Sequence, residues 1–519
     1  MELFSVESLL FLSLVFLYIY LHFPTTTTKP TIRGFRNYPL LGTLPQFLKN
    51  RHRFLDWSTQ VLRDYPTNTA VLARPGKLGI IMTANPVNVE HVLKTKFENY
   101  PKGDRFISFL EDFMGRGIFN SDGDIWKVQR KTASYEFNTK SLRNFVTENV
   151  TFEIQTRLLP LLSKASSTNM VLDLQYTLER FSFDNVCMLA FNVDPGSLAG
   201  DGTTGAEFMA AFDNAATLSS GRFMCAFPWL WKLKRLFNVG TERKLRESIA
   251  TVHKFADEII RSKTEAKGPT THNQDLLSRF IGAEDNSPEF LRDIVISFIL
   301  AGRDTTSSVL SWFFWILSSR PDVKKRILDE IETVRSRKVG GAAGEAFGYE
   351  EVKEMQYLHA AISETLRLYP SVPVDTRACL RNDVLPDGTM ISTDFFIMYH
   401  PYAMGRMESV WGKDCTEFKP ERWFENGVYR TENPFRFPVF NAGPRTCLGK
   451  EMAYTQMKSI AASVMERFEI DALDKDTCPQ HLLSLTLKIK GGLPVRVSLR
   501  KKGNCASGRN EKTFNDSEA

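Results

Sequence analysis

The ten residues FNAGPRTCLG, 440 to 449, put glycines, an arginine and a cysteine into a stretch that suits neither helix nor strand, directly after the aromatic, proline-rich NPFRFP. Phe440, Gly443, Arg445, Cys447 and Gly449 mark it. A cysteine in an apolar loop ordinarily stays a neutral thiol, because an isolated buried thiolate is costly, whereas coordination to a metal deprotonates it outright. Gly443 and Gly449 allow close backbone approach and dihedrals closed to other residues. Cys447 is therefore read as a metal ligand held in a glycine-lined cradle.

A second stretch breaks local rules inside an apolar run. In ILAGRDTTSSVL, Gly302 costs about 1 kcal/mol against alanine in a helix, and Asp304, Thr305 and Thr306 compete for backbone hydrogen bonds. Such conflicts point to a functional site; the alternative is a glycine for close helix packing, with threonines bonded back to carbonyls. Elsewhere, Glu364 and Arg367 in SETLRLYP stand three apart on a helix that ends before Pro370, an ordinary ion-pair spacing. Arg422 in FKPERW, and Trp126 with Arg130 in DIWKVQR, read alone as a turn and an amphipathic helix.

These residues need long elements to hold them. Ser287 as N-cap, Pro288 at the first helical position, Glu289 at the positive dipole end and Pro321 as a stop predict a helix over 288–319, about 48 Å long. Short alternating runs at 69–84 and 378–398 predict small sheets, and glycine-rich loops are marked at 196–205 and 340–348. No repeat is visible, and amphipathic stretches dominate after residue 140. The expectation is one large, mainly α domain with minor β-structure over 46–500, followed by a disordered polar tail at 501–519.

The chain has 519 residues, 43% hydrophobic, with 39 Phe, which is ample for a large core and suits an apolar cavity. A net charge of +6 is too weak to argue for nucleic acid, yet compatible with docking an acidic protein or lying on an anionic membrane. The 7 cysteines are scattered without a CxxC pair, which argues against a disulfide framework or zinc cluster and for a reducing compartment. From Leu9 to Phe23 the run LLFLSLVFLYIYLHF is uncharged, and taken from residue 3 it is long enough as a helix to span a bilayer. Glu2 and Glu7 in place of a positive n-region favour an uncleaved anchor over 3–23, and Lys29, Arg33 and Arg36 after it place the body in the cytosol. Residues 24–45, with four prolines, read as a stiff hinge.

Taken in order, these motifs resemble the cytochrome P-450 haem-thiolate monooxygenases, over essentially the whole sequence after the hinge. The resemblance implies haem b with Cys447 as its axial thiolate, which donates electron density to iron and favours O–O cleavage. It makes Thr305 the hydroxyl that orients proton delivery, Asp304 its relay, and Ala301 with Gly302 the room for dioxygen. Glu364, Arg367 and Arg422 match a buried structural triad, and Trp126, Arg130, Arg377 and Arg445 match groups that hold the haem propionates. No flavin or GxGxxG unit is evident, so electrons come from NADPH through an NADPH–cytochrome P-450 reductase, and the setting implied is the endoplasmic reticulum membrane with a monomeric catalytic unit.

In finer detail, NRHRFLDW, KFENYPKGDRF and PSVPVDTRACL are similar to the plant branch that oxidises terminal carbons of fatty acids, which also contains hydroxylases of jasmonoyl–amino acid conjugates and of sterol side chains. Long-chain fatty acids are the expected lipid substrate; oxidation of a sterol at C-26, the end of its side chain, and hydroxylation of jasmonoyl-isoleucine are the alternatives. From another class, a haem sensor would have little use for AGRDTT, and Thr305 argues against an isomerase. The resemblance assigns the pocket to Phe106, Ile107, Phe109, Leu110, Phe298, Ala301, Val372, Val374 and Leu485. Lys102, Arg105 and Arg116 are read as solvated loop charges, with a carboxylate anchor at the entrance as the alternative.

Overall fold

The computed structural model describes residue 13 and residues 42–500, apart from 75–77, 200–204, 226, 266–274, 283–285 and 338–344. The anchor over 3–23 apart from residue 13, most of the hinge and the tail at 501–519 thus lie outside the described residues. Among the described residues no helix is long and apolar enough to cross a membrane.

Helices over Leu44–Asn50 and Phe54–Asp64 precede strands β1 (Thr69–Arg74) and β2 (Leu78–Thr83), and the elements that position the site continue with helices α1 (Gly103–Met114), α2 (Gly123–Ser134), α3 (Leu174–Phe191) and α4 (Ala206–Gly221). Then come α5 (Pro288–Ile299), α6 (Thr305–Ser318), α7 (Gln356–Leu368), β3 (Asp375–Ala378), β4 (Phe395–Tyr399) and α8 (Lys450–Arg467). Helices dominate, as expected. The two alternating runs, however, join into one sheet in the order β1-β2-β4-β3, with Ile81 opposite Ile397 in a parallel pair and Arg377 opposite Ile397 in an antiparallel one. Parallel pairing of distant segments needs a long crossover, here most of the helical body, so local sequence does not announce it.

The long helix forms with its cap as predicted: the Ser287 side chain accepts from Phe290 N at 3.2 Å, with Pro288 at the first position. It is not uniform. Leu300–Asp304 forms a π turn between α5 and α6, at the place where Gly302 and the polar residues break the apolar run. A Cβ on Gly302 would overlap the Val186 side chain of α3, and the Thr305 hydroxyl donates to Ala301 O at 2.7 Å. Close packing and back-bonding therefore do operate here, in the same residues that face the cavity described below. Beyond the turn α6 is buried on nearly every side, with Trp312 stacked on Tyr369 at 4.2 Å.

Glu364 and Arg367 are both fully buried and paired through two hydrogen bonds, Nε to Oε2 at 2.8 Å and Nη2 to Oε1 at 2.7 Å. Arg367 also donates to the carbonyls of Gly405, Cys415 and Glu417, so it ties the segment after β4 to α7. Glu364 receives Lys419 N at 2.8 Å and Trp423 Nε1 at 3.0 Å. Arg422 reaches it only at 3.4 Å and spends its better bonds on Asp414 and Trp411 O at 3.0 Å. The indole of Trp423, unmarked in the sequence, is thus the closer third partner.

Removing one partner of such a pair strands a buried charge, which costs about 3–5 kcal/mol. Glu364→Gln should therefore lower unfolding free energy by several kcal/mol in denaturant titration, and a loss under about 1 kcal/mol would contradict the pairing. Gly443 has φ +64, and a Cβ there would overlap the Leu93 carbonyl oxygen. Gly443→Ala should then give lower soluble yield and a lower melting temperature, whereas Gly449→Ala, at φ −89, should be far milder.

Candidate active site

A cavity of about 480 Å³ lies between α6 and the 440–449 loop, with Cys447 and Thr305 both in its wall. The loop is built from two short 3-10 turns, Pro438–Phe440 and Gly443–Arg445, before α8 begins at Lys450. Cys447 N donates to Phe440 O at 2.8 Å, and the Thr446 hydroxyl donates to Gly443 O at 2.7 Å. These bonds close the loop around the sulfur. The Phe440 ring packs at 5.3 Å on Tyr454 of α8. Gly449 has an ordinary negative φ, so only Gly443 needs glycine's left-handed freedom, and it needs it for the contact with Leu93.

The Cys447 side chain is exposed, but its accessible surface faces the cavity. Burial accordingly pushes its thiol up, while the Gly449 N–H on the sulfur and the cations of Arg130 and Lys450 pull it down. Unaided, the thiol would stay protonated at neutral pH. A metal cation at the sulfur is what converts this site to a thiolate.

On one flank of the cavity, cations outnumber carboxylates. Lys102 pairs with Asp375 at 2.7 Å, Arg377 pairs with the same Asp375 at 2.7 Å, and Arg445 pairs with Asp122 at 2.7 Å. Strand alternation puts Asp375 and Arg377 on one face of β3, and Asp122 stands at the N-cap of α2, where it also accepts from Lys102 N and Gly103 N. Burial and the nearby Arg377 pull the Lys102 amine down to about 7. Burial would raise the Asp375 carboxyl, yet Arg377 and Lys102 together hold it well below the usual carboxylate range. The Arg445 guanidinium lies 4.3 Å over the Trp126 ring, and Arg130 donates to Thr446 O at 2.6 Å. Arg377 Nε and Nη2 and Arg445 Nε are buried without a hydrogen-bond partner among the described residues. Surplus cations and orphaned guanidinium N–H groups in the wall of an apolar cavity that also holds the Cys447 sulfur fit a haem whose propionates these cations would hold. Cys447 would supply the sulfur that binds its iron.

The other sequence-predicted residues divide. Phe106, Phe109, Leu110, Phe298, Ala301, Val372, Val374 and Leu485 line the cavity. Ile107 does not: it is buried on another side of α1, since positions 106, 109 and 110 share a helix face and 107 does not. Asp304 does not line the cavity either. Its carboxylate accepts from Arg303 at 2.8 Å within a buried cluster that adds Glu179, Asp213 and Lys488, so it sits one layer behind the wall. Lys102 and Arg105 overturn the solvated reading, being partly or fully buried in the cavity wall, whereas Arg116 is exposed and pairs with Glu111. Sequence reasoning missed Asp122, Asp375, Val186, Phe223 and Met224. For Asp375 a signal existed, since VDTR places a carboxylate two residues before an arginine, the same-face spacing of a strand.

The family model described as Cytochrome P450 matches residues 32–493. Cytochrome P450 CYP94D108 of Paris polyphylla is 56% identical over 458 residues, covering 88% of this chain and 90% of the relative. Cytochrome P450 94A1 of Vicia sativa is 44% identical, covering 90% of this protein and 90% of the relative. Cytochrome P450 94B1 of Arabidopsis thaliana is 44% identical, covering 96% of this protein and 99% of the relative. With Cys447, Thr305 and a cationic flank all in the wall of one cavity, the protein belongs to the cytochrome P450 family and is a haem-thiolate monooxygenase.

Proposed function

We propose that this monooxygenase hydroxylates the terminal carbon of an aliphatic chain, with long-chain fatty acids as its substrates. The observation that carries the reading is the ring of large apolar side chains around the cavity: Phe106, Phe109 and Leu110 from α1, Phe298 from α5 and Phe223 after α4. Phe223 meets Phe106 at 5.3 Å and Phe109 edge-on at 4.8 Å, so the rings brace one another. A primary C–H bond is stronger than its secondary neighbours, and selecting it requires walls that admit only the end of the substrate.

Bound against Cys447, haem supplies the oxidising chemistry with dioxygen and reductant. The protein's own residues do the rest. The Gly449 N–H on the sulfur tempers the thiolate's charge. Arg377, Arg445, Arg130 and Trp126 would hold the group through its carboxylates. Thr305 Oγ holds a proton in the cavity wall, and because its own hydrogen is given to Ala301 O, its lone pairs are free to accept from water. Asp304, held by Arg303, keeps the π turn in place behind that hydroxyl. Electrons come from an NADPH–cytochrome P-450 reductase docking near Cys447, and the enzyme works as a monomer anchored in the endoplasmic reticulum membrane with its body in the cytosol.

Microsomes bearing the protein and a reductase should convert lauric and oleic acid to products 16 daltons heavier, oxidised at the last carbon by mass spectrometry. Faster turnover of 22-hydroxycholesterol or jasmonoyl-isoleucine would overturn the fatty-acid assignment. Cys447→Ala should lose the thiolate ligand and all activity. Thr305→Ala should keep haem yet consume NADPH with clearly less product per electron pair, because the water that Thr305 Oγ accepts from is no longer held in place; an undiminished yield would count against its role.

A further inference from the structure

Arg105 is the cation in the cavity wall that the site described so far does not use. It stands on α1 with its guanidinium 4.2 Å over the Phe396 ring of β4 and 5.7 Å from the Phe109 ring. Its Nη1 is buried without a hydrogen-bond partner among the described residues. Burial pulls it down to about 10, with no carboxylate near enough to push it back. The neighbouring Lys102 shows the contrast, because it too lies on an aromatic ring, Phe106 at 4.2 Å, but has Asp375 to pair with. Ring faces attract a guanidinium, yet less than they cost it in lost hydration, so Arg105 is a desolvated cation awaiting an anion.

Two anions could reach it, a haem propionate or the headgroup of a substrate. Sheet register separates them. Phe396, which carries Arg105, is opposite Ala378, whereas Arg377 is opposite Ile397. Successive side chains face opposite sides of a sheet, so the Phe396 ring under Arg105 and the Arg377–Asp375 pair lie on opposite faces of it. The propionate flank therefore has its own cations, whereas Arg105 is set beside Phe109, whose ring meets Phe223 in the aromatic part of the cavity wall. We propose that Arg105 binds the carboxylate of an acidic lipid, making it the residue that selects an anionic over a neutral headgroup. This rests on the terminal-hydroxylation reading, for a substrate that presents its last carbon to the iron must place its other end on a different wall.

The test compares lauric acid with dodecanol, which share an alkyl tail and differ in the charge of the head, by optical titration of purified holoenzyme at fixed ionic strength. Wild type should bind laurate more tightly than dodecanol. Arg105→Gln should weaken laurate about ten- to a hundredfold and leave dodecanol within about twofold, while Arg105→Lys, which keeps the charge and loses the fork, should retain part of the preference. Wild type without a laurate shift, or binding both equally, overturns the proposal. So does an equal loss for both ligands in Arg105→Gln, or a fall in its haem content at unchanged circular dichroism, which would make Arg105 a propionate holder. If the glutamine variant does not fold, Arg105→Lys decides: a reduced preference supports the proposal, and one equal to wild type overturns it. Terminal hydroxylation fails on another readout, laurate bound with an Arg105-dependent preference but oxidised at an internal carbon.

Discussion

A sulfur anion away from water is expensive, and the surroundings of Cys447 alone do not stabilise it: burial pushes the thiol up further than one backbone N–H and two nearby cations pull it down. Coordination to iron is the interaction that closes this deficit. The architecture follows from that requirement. The loop is closed by its own backbone bonds, pinned against Leu93 through a left-handed Gly443, and backed by α8, so that the sulfur is delivered to a cavity wall without being hydrated from behind.

The same logic of incomplete pairing runs through the site. Charges that serve the fold are saturated: Glu364 and Arg367 satisfy each other and the carbonyls around them. Charges that serve ligands are left short: among the described residues Arg377 and Arg445 hold unpaired N–H groups and Arg105 has no carboxylate partner. A protein interior tolerates such deficits only where something else supplies the missing partner.

Much of this was legible in the sequence. The Cys447 loop, Thr305 and the Glu364–Arg367 spacing break or follow local rules in ways that show without a structure, and the Ser287 cap begins its helix where the pattern puts it. What escaped depends on distant segments meeting. The joining of two predicted sheets into one, the placing of Asp122 against Arg445, the burial of Arg303 and Asp304 against Glu179, Asp213 and Lys488, and the preference of Glu364 for Trp423 over Arg422 are all tertiary pairings. Ile107 falls outside the pocket for a simpler reason, since a helix face excludes it once the phase of α1 is known. Lys102 and Arg105 read as loop charges because a lysine or arginine carries no local mark of burial.

The central claim is that Cys447 donates a thiolate to haem iron. It is tested most directly by the carbon monoxide difference spectrum of the reduced, purified protein. The account predicts the strongly red-shifted Soret band that only thiolate ligation produces, present in wild type and absent once Cys447 is replaced. A haem-loaded wild-type protein whose band lies instead where neutral histidine or thiol ligands put it would contradict the account.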